Sequence, residues 1–149
     1  MKWVNFSIFQ AMHWWSRLKG SGGIWRGFEG KDFQSFCESL HKSDAICELG
    51  FGVGRVTHLI RGHSCRVHGV FWSKDAYRHP EVVRRALIEL FDRFDLVRIE
   101  CVVPSSMRSL GRLLVKFGFV KEGTLRAIYK VDDRFFDGDI YSIVGGTNG

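Results

Sequence analysis

Helical and strand-like periodicities alternate along this 149-residue chain, and the alternation calls for an α/β domain: a mixed, mostly antiparallel central sheet flanked by helices. Three stretches carry that reading. PEVVRRALIELFDRF at 80–94 repeats its apolar residues at helical spacing, and LVRIECVV at 96–103 is a short, buried-looking β run. Residues 44–72 break into three more such runs, AICELGF, GRVTHLI and CRVHGVFW, divided by glycine-containing turns as successive antiparallel strands would be.

The elements follow in order. Residues 4–18, VNFSIFQAMHWWSRL, place Phe6, Phe9 and Trp14 or Trp15 at roughly helical spacing, and Gly20 stops them, so residues 1–19 are expected to hold an N-terminal aromatic helix. GSGG at 20–23 reads as a linker. A short helix is predicted over 30–41, where Phe33, Phe36, Cys37 and Leu40 share a face. In the helix at 80–94, Val83, Leu87, Leu90 and Phe94 form one stripe, widened by Ala86 and Phe91. Pro80 suits its first position, where a missing N–H is harmless. Pro104 ends the strand at 96–103. A helix at 106–117 turns Leu110, Leu113, Leu114 and Phe117 inward and Arg108, Arg112 and Lys116 outward, and Gly118 is its left-handed stop. Two last strands, 123–131 and 135–144, meet at the turn DDR, and 145–149 reads as a flexible tail. The whole chain, 1–149, is read as a single domain.

Composition narrows the function classes. With 45% hydrophobic and 26% charged residues the chain reads as a globular domain, and no window reaches the roughly 18 apolar residues of a membrane span. MKWVNFSIFQ lacks the apolar core and cleavage site of a signal peptide, so the expected location is cytoplasmic. Cys37, Cys47, Cys65 and Cys101 are widely spaced and form no Cys-x-x-Cys pair, as reduced core thiols would be. The net charge of +6 suits an acidic partner, a nucleic acid or an anionic cofactor such as coenzyme A, but no basic block concentrates it.

Other constellations read as structure. His58, His63, Cys65 and His68 lack metal-ligand spacing, and in a strand residue 68 faces away from 63 and 65, so no metal is expected. GFGVG at 50–54 leads into a strand rather than a helix and is no dinucleotide loop. Trp14, Trp15, Trp25 and Trp72 read as core or interface anchors rather than base-stacking platforms, with the Trp14–Trp15 helix a candidate protein-contact surface. Arg84, Arg85 and Arg93 alternate with Glu81, Glu89 and Asp92 as a solvated face does, which leaves nucleic acid an unlikely partner.

Over 69–144 a series of short words recurs in a fixed order: GVFW (69–72), VRIEC (97–101), SMRS (106–109), GF (118–119), EGTLR (122–126) and DGDIYS (137–142). In order and spacing they resemble the GNAT (Gcn5-related) N-acetyltransferase superfamily, and within it the branch that acetylates ribosomal-protein N-termini. The resemblance implies a GNAT-like fold in which the fourth and fifth strands, here 65–72 and 96–103, splay apart and hold the pantetheine arm of acetyl-CoA as an added strand. It nominates Val70, Phe71, Trp72, Tyr77, Arg78, His79, Val82 and Arg112 as cofactor contacts. The pyrophosphate is expected at the N-terminus of the helix at 80–94.

There the chain departs from the family pattern. SKDAYRHPEVV holds His79 and Glu81 where the family has glycines, and Pro80 removes a backbone donor. The pyrophosphate loop is therefore degenerate. The resemblance implies a base and an acid: Glu100, mid-strand near the splay, for the first, and Ser106 or Ser109 for the second, since the family's tyrosine position holds Leu114. The implied function is transfer of acetyl from acetyl-CoA to an amine, of a small molecule or of a protein N-terminus or lysine. The alternative is a degenerate GNAT-like binding protein with a protein assembly partner, such as a phage head-assembly or virion-associated component.

Overall fold

Pro80 opens the longest helix with its fixed φ, and Asp95 closes it in the left-handed conformation (φ 54°). In the computed structural model, which describes residues 1–20 and 32–145, that helix is α4 (Pro80–Phe94). It is preceded by β1 (Lys2–Val4), α1 (Ile8–Lys19), α2 (Phe33–His41), β2 (Ala45–Glu48), β3 (Gly52–Ile60), β4 (Ser64–Phe71) and the single turn α3 (Asp75–Arg78). β5 (Arg98–Pro104), α5 (Arg108–Phe117), β6 (Val120–Val131) and β7 (Arg134–Val144) follow. The strands form one seven-stranded sheet in the order β1-β2-β3-β4-β5-β7-β6, antiparallel throughout except for β4 beside β5. It is the mixed, helix-covered sheet that the periodicities require.

Each face of the sheet has its own core. Leu87, Leu90 and Phe94 of α4 and Leu113, Leu114 and Phe117 of α5 pack with Val56, Cys65, Ile99, Cys101 and Val103 on one face. Ala11, Trp14 and Leu18 of α1 and Phe36 and Leu40 of α2 cover Ile46 and Val53 on the other. Gly118 ends α5 at φ 101°, and Phe119 turns into the core behind it. Among the described residues the four cysteines are free thiols, and burial pushes Cys65 and Cys101 up to about 12.

The N-terminal segment differs from its reading. Residues 2–4 form an edge strand on β2, so the helix starts only at Ile8. Its inward residues are Ala11, Trp14 and Leu18 rather than Phe6 and Phe9, and Phe9 is 80% exposed. Trp14, 1% exposed, is a core anchor, and the exposed apolar residues of α1 are Ile8, Phe9 and Met12. Residues 21–23 of the expected linker, Trp25, residues 30 and 31 of the second predicted helix and the tail beyond Gly145 lie outside the described residues.

Candidate functional site

The parallel ladder between β4 and β5 lasts only three residues, Ser64–Arg66 against Arg98–Glu100, after which the strands diverge. Hydrogen-bond parity fixes what each edge offers the gap. Trp72 donates its N–H to the Phe51 carbonyl at 3.0 Å, so alternation turns the N–H groups of Val67, Gly69 and Phe71 away from β3 and toward β5. Gly145 donates to the Val97 carbonyl and Ser105 to that of Asp137, so the groups of Arg98, Glu100 and Val102 face β4. One exposed acceptor is already taken: the Tyr129 hydroxyl donates to the Val102 carbonyl at 2.9 Å.

Over the diverging strands lies an almost wholly apolar cavity of about 80 Å³, floored by Val67, Gly69, Phe71, Cys101 and Val103 together with Cys47 of β2 and Val56 of β3, and roofed by side chains of α4 and α5. The Phe71 ring narrows it, lying back along its own strand and packing against Phe51 and Phe117 with centroids 6.1 Å away. Gly69 makes room for that ring, since a Cβ there would stand 2.9 Å from the Phe71 ring.

The cleft mouth is bounded by the loop after β4. Ser73 accepts the Asp75 N–H, Arg78 pairs with Asp75 at 3.4 Å, and Tyr77 is exposed. At the start of α4, Pro80 has no N–H and Val82 donates to the His79 carbonyl. Glu81 folds onto its own backbone N–H, which is the largest cause of its lowered pKa, and its carboxylate meets His79 Nδ1 at 3.2 Å. The positive end of α4 thus holds a carboxylate of the chain itself. Both side chains point outward, 56% and 59% exposed, and neither fills the gap between the strands.

The remaining nominated residues scatter. Phe71 lines the cleft and Val82 packs against the core under α4 and α5, whereas Val70 and Trp72 lean on the α1–α2 core. Arg112 lies across α5, in a separate polar recess of about 570 Å³ with Arg108, Lys121 and Asp139. Asp139, buried, accepts from Ser105 (2.8 Å), Thr124 (2.7 Å) and Lys121 (2.8 Å), and Lys121 is the main cause of its lowered pKa. Ser106 and Ser109 are exposed at the start of α5, and neither makes a side-chain hydrogen bond among the described residues. Glu100 is ion-paired on both oxygens, to Arg66 at 2.8 Å and to Arg98 at 3.4 Å. Arg98 also binds Glu122, which with Ser142 holds that carboxyl down to about 2. This makes Glu100 the centre of a cross-strand ion-pair row, with no oxygen left over for an incoming proton.

Sequence reasoning passed over two groups at the cleft. His68, set aside with the non-ligating histidines, lines the cavity, and its Nε2 lies 3.0 Å from Thr57 Oγ1. Burial above all, then Arg55 and Arg66, pushes its pKa down to about 3, so it is neutral in ordinary buffers. Alternation along CRVHGVFW placed it beside the splay; only the metal question obscured it. Tyr129 gave no local signal, because it reaches Val102 from two strands away. Among the described residues no three His, Cys, Asp or Glu side chains cluster as a metal site, and no helix is long and apolar enough to cross a membrane.

No protein-family model and no curated protein sequence matches the chain. Solved structures do: the fold is that of the GNAT-family acetyltransferases. A GNAT-family acetyltransferase from Bacillus anthracis superposes with a TM-score of 0.73 over 95% of this chain and 93% of its own, at 14% identity. A probable GNAT-family acetyltransferase from Chromobacterium violaceum gives 0.72 at 16% identity, covering 95% and 81%. A variant of the spermidine N-acetyltransferase SpeG from Vibrio cholerae gives 0.67 at 16% identity, covering 97% and 95%. At these identities the likeness is one of fold.

Proposed function

We propose that the chain is a GNAT-fold N-acetyltransferase that transfers acetyl from acetyl-CoA to an amine, in keeping with the branch that acetylates protein N-termini. The observation that carries this is the divergence of β4 from β5, with the N–H groups of Val67, Gly69 and Phe71 turned into an apolar gap. Such an edge suits an amide-bearing pantetheine arm, which adds to it as a strand. The phosphate end fits less well: Pro80 and Glu81 weaken the N-terminus of α4, so the anion contacts fall to Lys74, Arg78 and His79 around it. Bound acetyl-CoA supplies an activated thioester.

The chain's own residues then orient and exchange protons. His68, neutral at the cleft wall, accepts a hydrogen bond from the amine and fixes its approach. Glu100 serves as base only when Arg66 or Arg98 releases an oxygen. Ser106 or Ser109, exposed at the start of α5, is the donor toward the departing sulfur. Arg55, Arg66 and Arg98 line the acceptor side of the sheet against Glu100 and Glu122, and that balance repels polycations. The acceptor is therefore an amine without further positive charge, and spermidine is a poor substrate.

Calorimetric titration with acetyl-CoA is the test. Micromolar binding that weakens on Gly69→Val supports the enzyme, whereas no binding at millimolar ligand removes it. The narrow cleft and the carboxylate on α4 favour a second reading, a GNAT-fold protein that has given up the cofactor and serves as an assembly component, cytoplasmic or in a virion.

A further inference from the structure

At the far end of α4 from the cleft, two arginines share one aromatic ring. The Arg61 guanidinium carbon stands 4.8 Å from the centroid of Phe94, and that of Arg93 stands 5.7 Å from the same ring and 5.6 Å from Trp3. Neither arginine has a carboxylate within ion-pair distance among the described residues. Trp3 is itself held by its indole N–H, which donates to Glu89 at 3.1 Å. The Phe94 and Trp3 rings thus gather the two guanidinium forks at one place on the surface. Two like charges gathered at one ring without a carboxylate partner among the described residues favour an anion within reach of both.

The forks open on a recess of about 440 Å³, within the range of small-molecule sites. Asn5 adds an amide to its wall. Phe6 and His41, edge to face at 5.3 Å, offer a partly exposed ring surface. Asp44 spends one carboxylate oxygen on the Leu59 N–H at 3.0 Å, and the other has no partner among the described residues, which suits a hydroxyl donor. Cationic forks, a ring surface and one acceptor for hydroxyls match phosphate, base and sugar in turn.

We propose that this recess is a binding site for a mononucleotide-class ligand, its phosphate held by Arg61 and Arg93 and its ring by Phe6 and His41. Its arginines stand at the C-terminal end of α4, roughly 22 Å along the 15 residues of that helix from the N-terminal end where a pyrophosphate would lie, and Trp3 is the residue that borders both this recess and the apolar cavity. The site does not depend on the chain's being an acetyltransferase.

Titration of ¹⁵N-labelled protein with adenosine 5′-monophosphate, and separately with inorganic phosphate, reads the site through the Trp3 indole N–H resonance. The expected result is a saturable Trp3 shift, with AMP binding at least tenfold tighter than phosphate. In an Arg61→Gln/Arg93→Gln double variant whose spectrum stays dispersed, the dissociation constant rises at least tenfold. Each single variant weakens AMP binding by a smaller factor, which keeps the test open should the double variant unfold. No Trp3 shift at 10 mM of either probe, unchanged affinity in the variants, or equal affinity for phosphate and AMP overturns the proposal. A shift shared only by Trp3 and cleft residues such as Gly69, with none at Asn5 or His41, does so too.

Discussion

His68 is the residue whose chemistry the fold changes most, and its titration is measurable. An unfolded histidine takes up its proton near pH 6.5, whereas His68 in the fold does so only near 3. Below pH 6.5 the unfolded chain therefore binds a proton that the native chain refuses, and stability falls progressively toward pH 3; above 6.5 the group contributes no pH dependence. His68→Gln, which keeps a polar group near Thr57, is expected to flatten the stability profile between pH 6.5 and 3, read by urea denaturation at several pH values. An undiminished slope would show that other groups carry it. A second residue bears backbone strain: Ala127 sits at φ 52° in the irregular stretch of β6, its N–H donating to Asp137 at 2.9 Å. A left-handed alanine costs about 1–2 kcal/mol and glycine's extra unfolded freedom about 0.5–1. Ala127→Gly is thus expected to raise stability by roughly 0.5–1 kcal/mol in chemical denaturation, and a loss would mean that the bulge is not strained.

Elements are held in register by a few close approaches, and α5 over β7 is one of the tightest. A Cβ at Gly111 would stand 2.5 Å from the hydroxyl oxygen of Tyr141 but 3.4 Å from the ring carbon behind it, so the clash belongs to one atom. Gly111→Ala is expected to cost about 1–3 kcal/mol by forcing α5 or Tyr141 to shift. Adding Tyr141→Phe should recover most of that loss, a coupling that a double-mutant cycle measures directly. The same scale explains what the sequence disclosed. The helix at 80–94 was legible to the residue, because Pro80 and an uninterrupted apolar stripe define it locally. β1 was not, because three residues become a strand only through pairing with β2, and Trp3 and Val4 read equally well as a helix start. α3 escaped because a single turn shows no period. The pairing of β4 with β5 for three residues is a tertiary property, and only likeness to a family of folds drew attention to it.

The whole molecule sets the ends of α4 in opposition. Beside its C-terminal turn stand the guanidinium groups of Arg93 and of Arg61 from the β3–β4 turn, neither with a carboxylate partner among the described residues, and its N-terminal turn, where a phosphate is expected in this fold, carries Glu81. The site residues Glu100 and Arg112 were nominated from position along the chain, yet a strand position does not reveal that Arg66 and Arg98 will close on Glu100, nor that α5 turns Arg112 away from the cleft. Glu81 is the decisive case because its two roles pull in opposite directions. Its carboxylate satisfies the free N–H and the dipole of α4, which favours the empty protein, and the same charge repels a pyrophosphate arriving there. Glu81→Gln should therefore lower the stability of the free protein slightly while tightening acetyl-CoA severalfold in Kd. Thermal shift without and with ligand reads both signs in one experiment. If the variant loses stability and gains no affinity, Glu81 is a helix cap and nothing more.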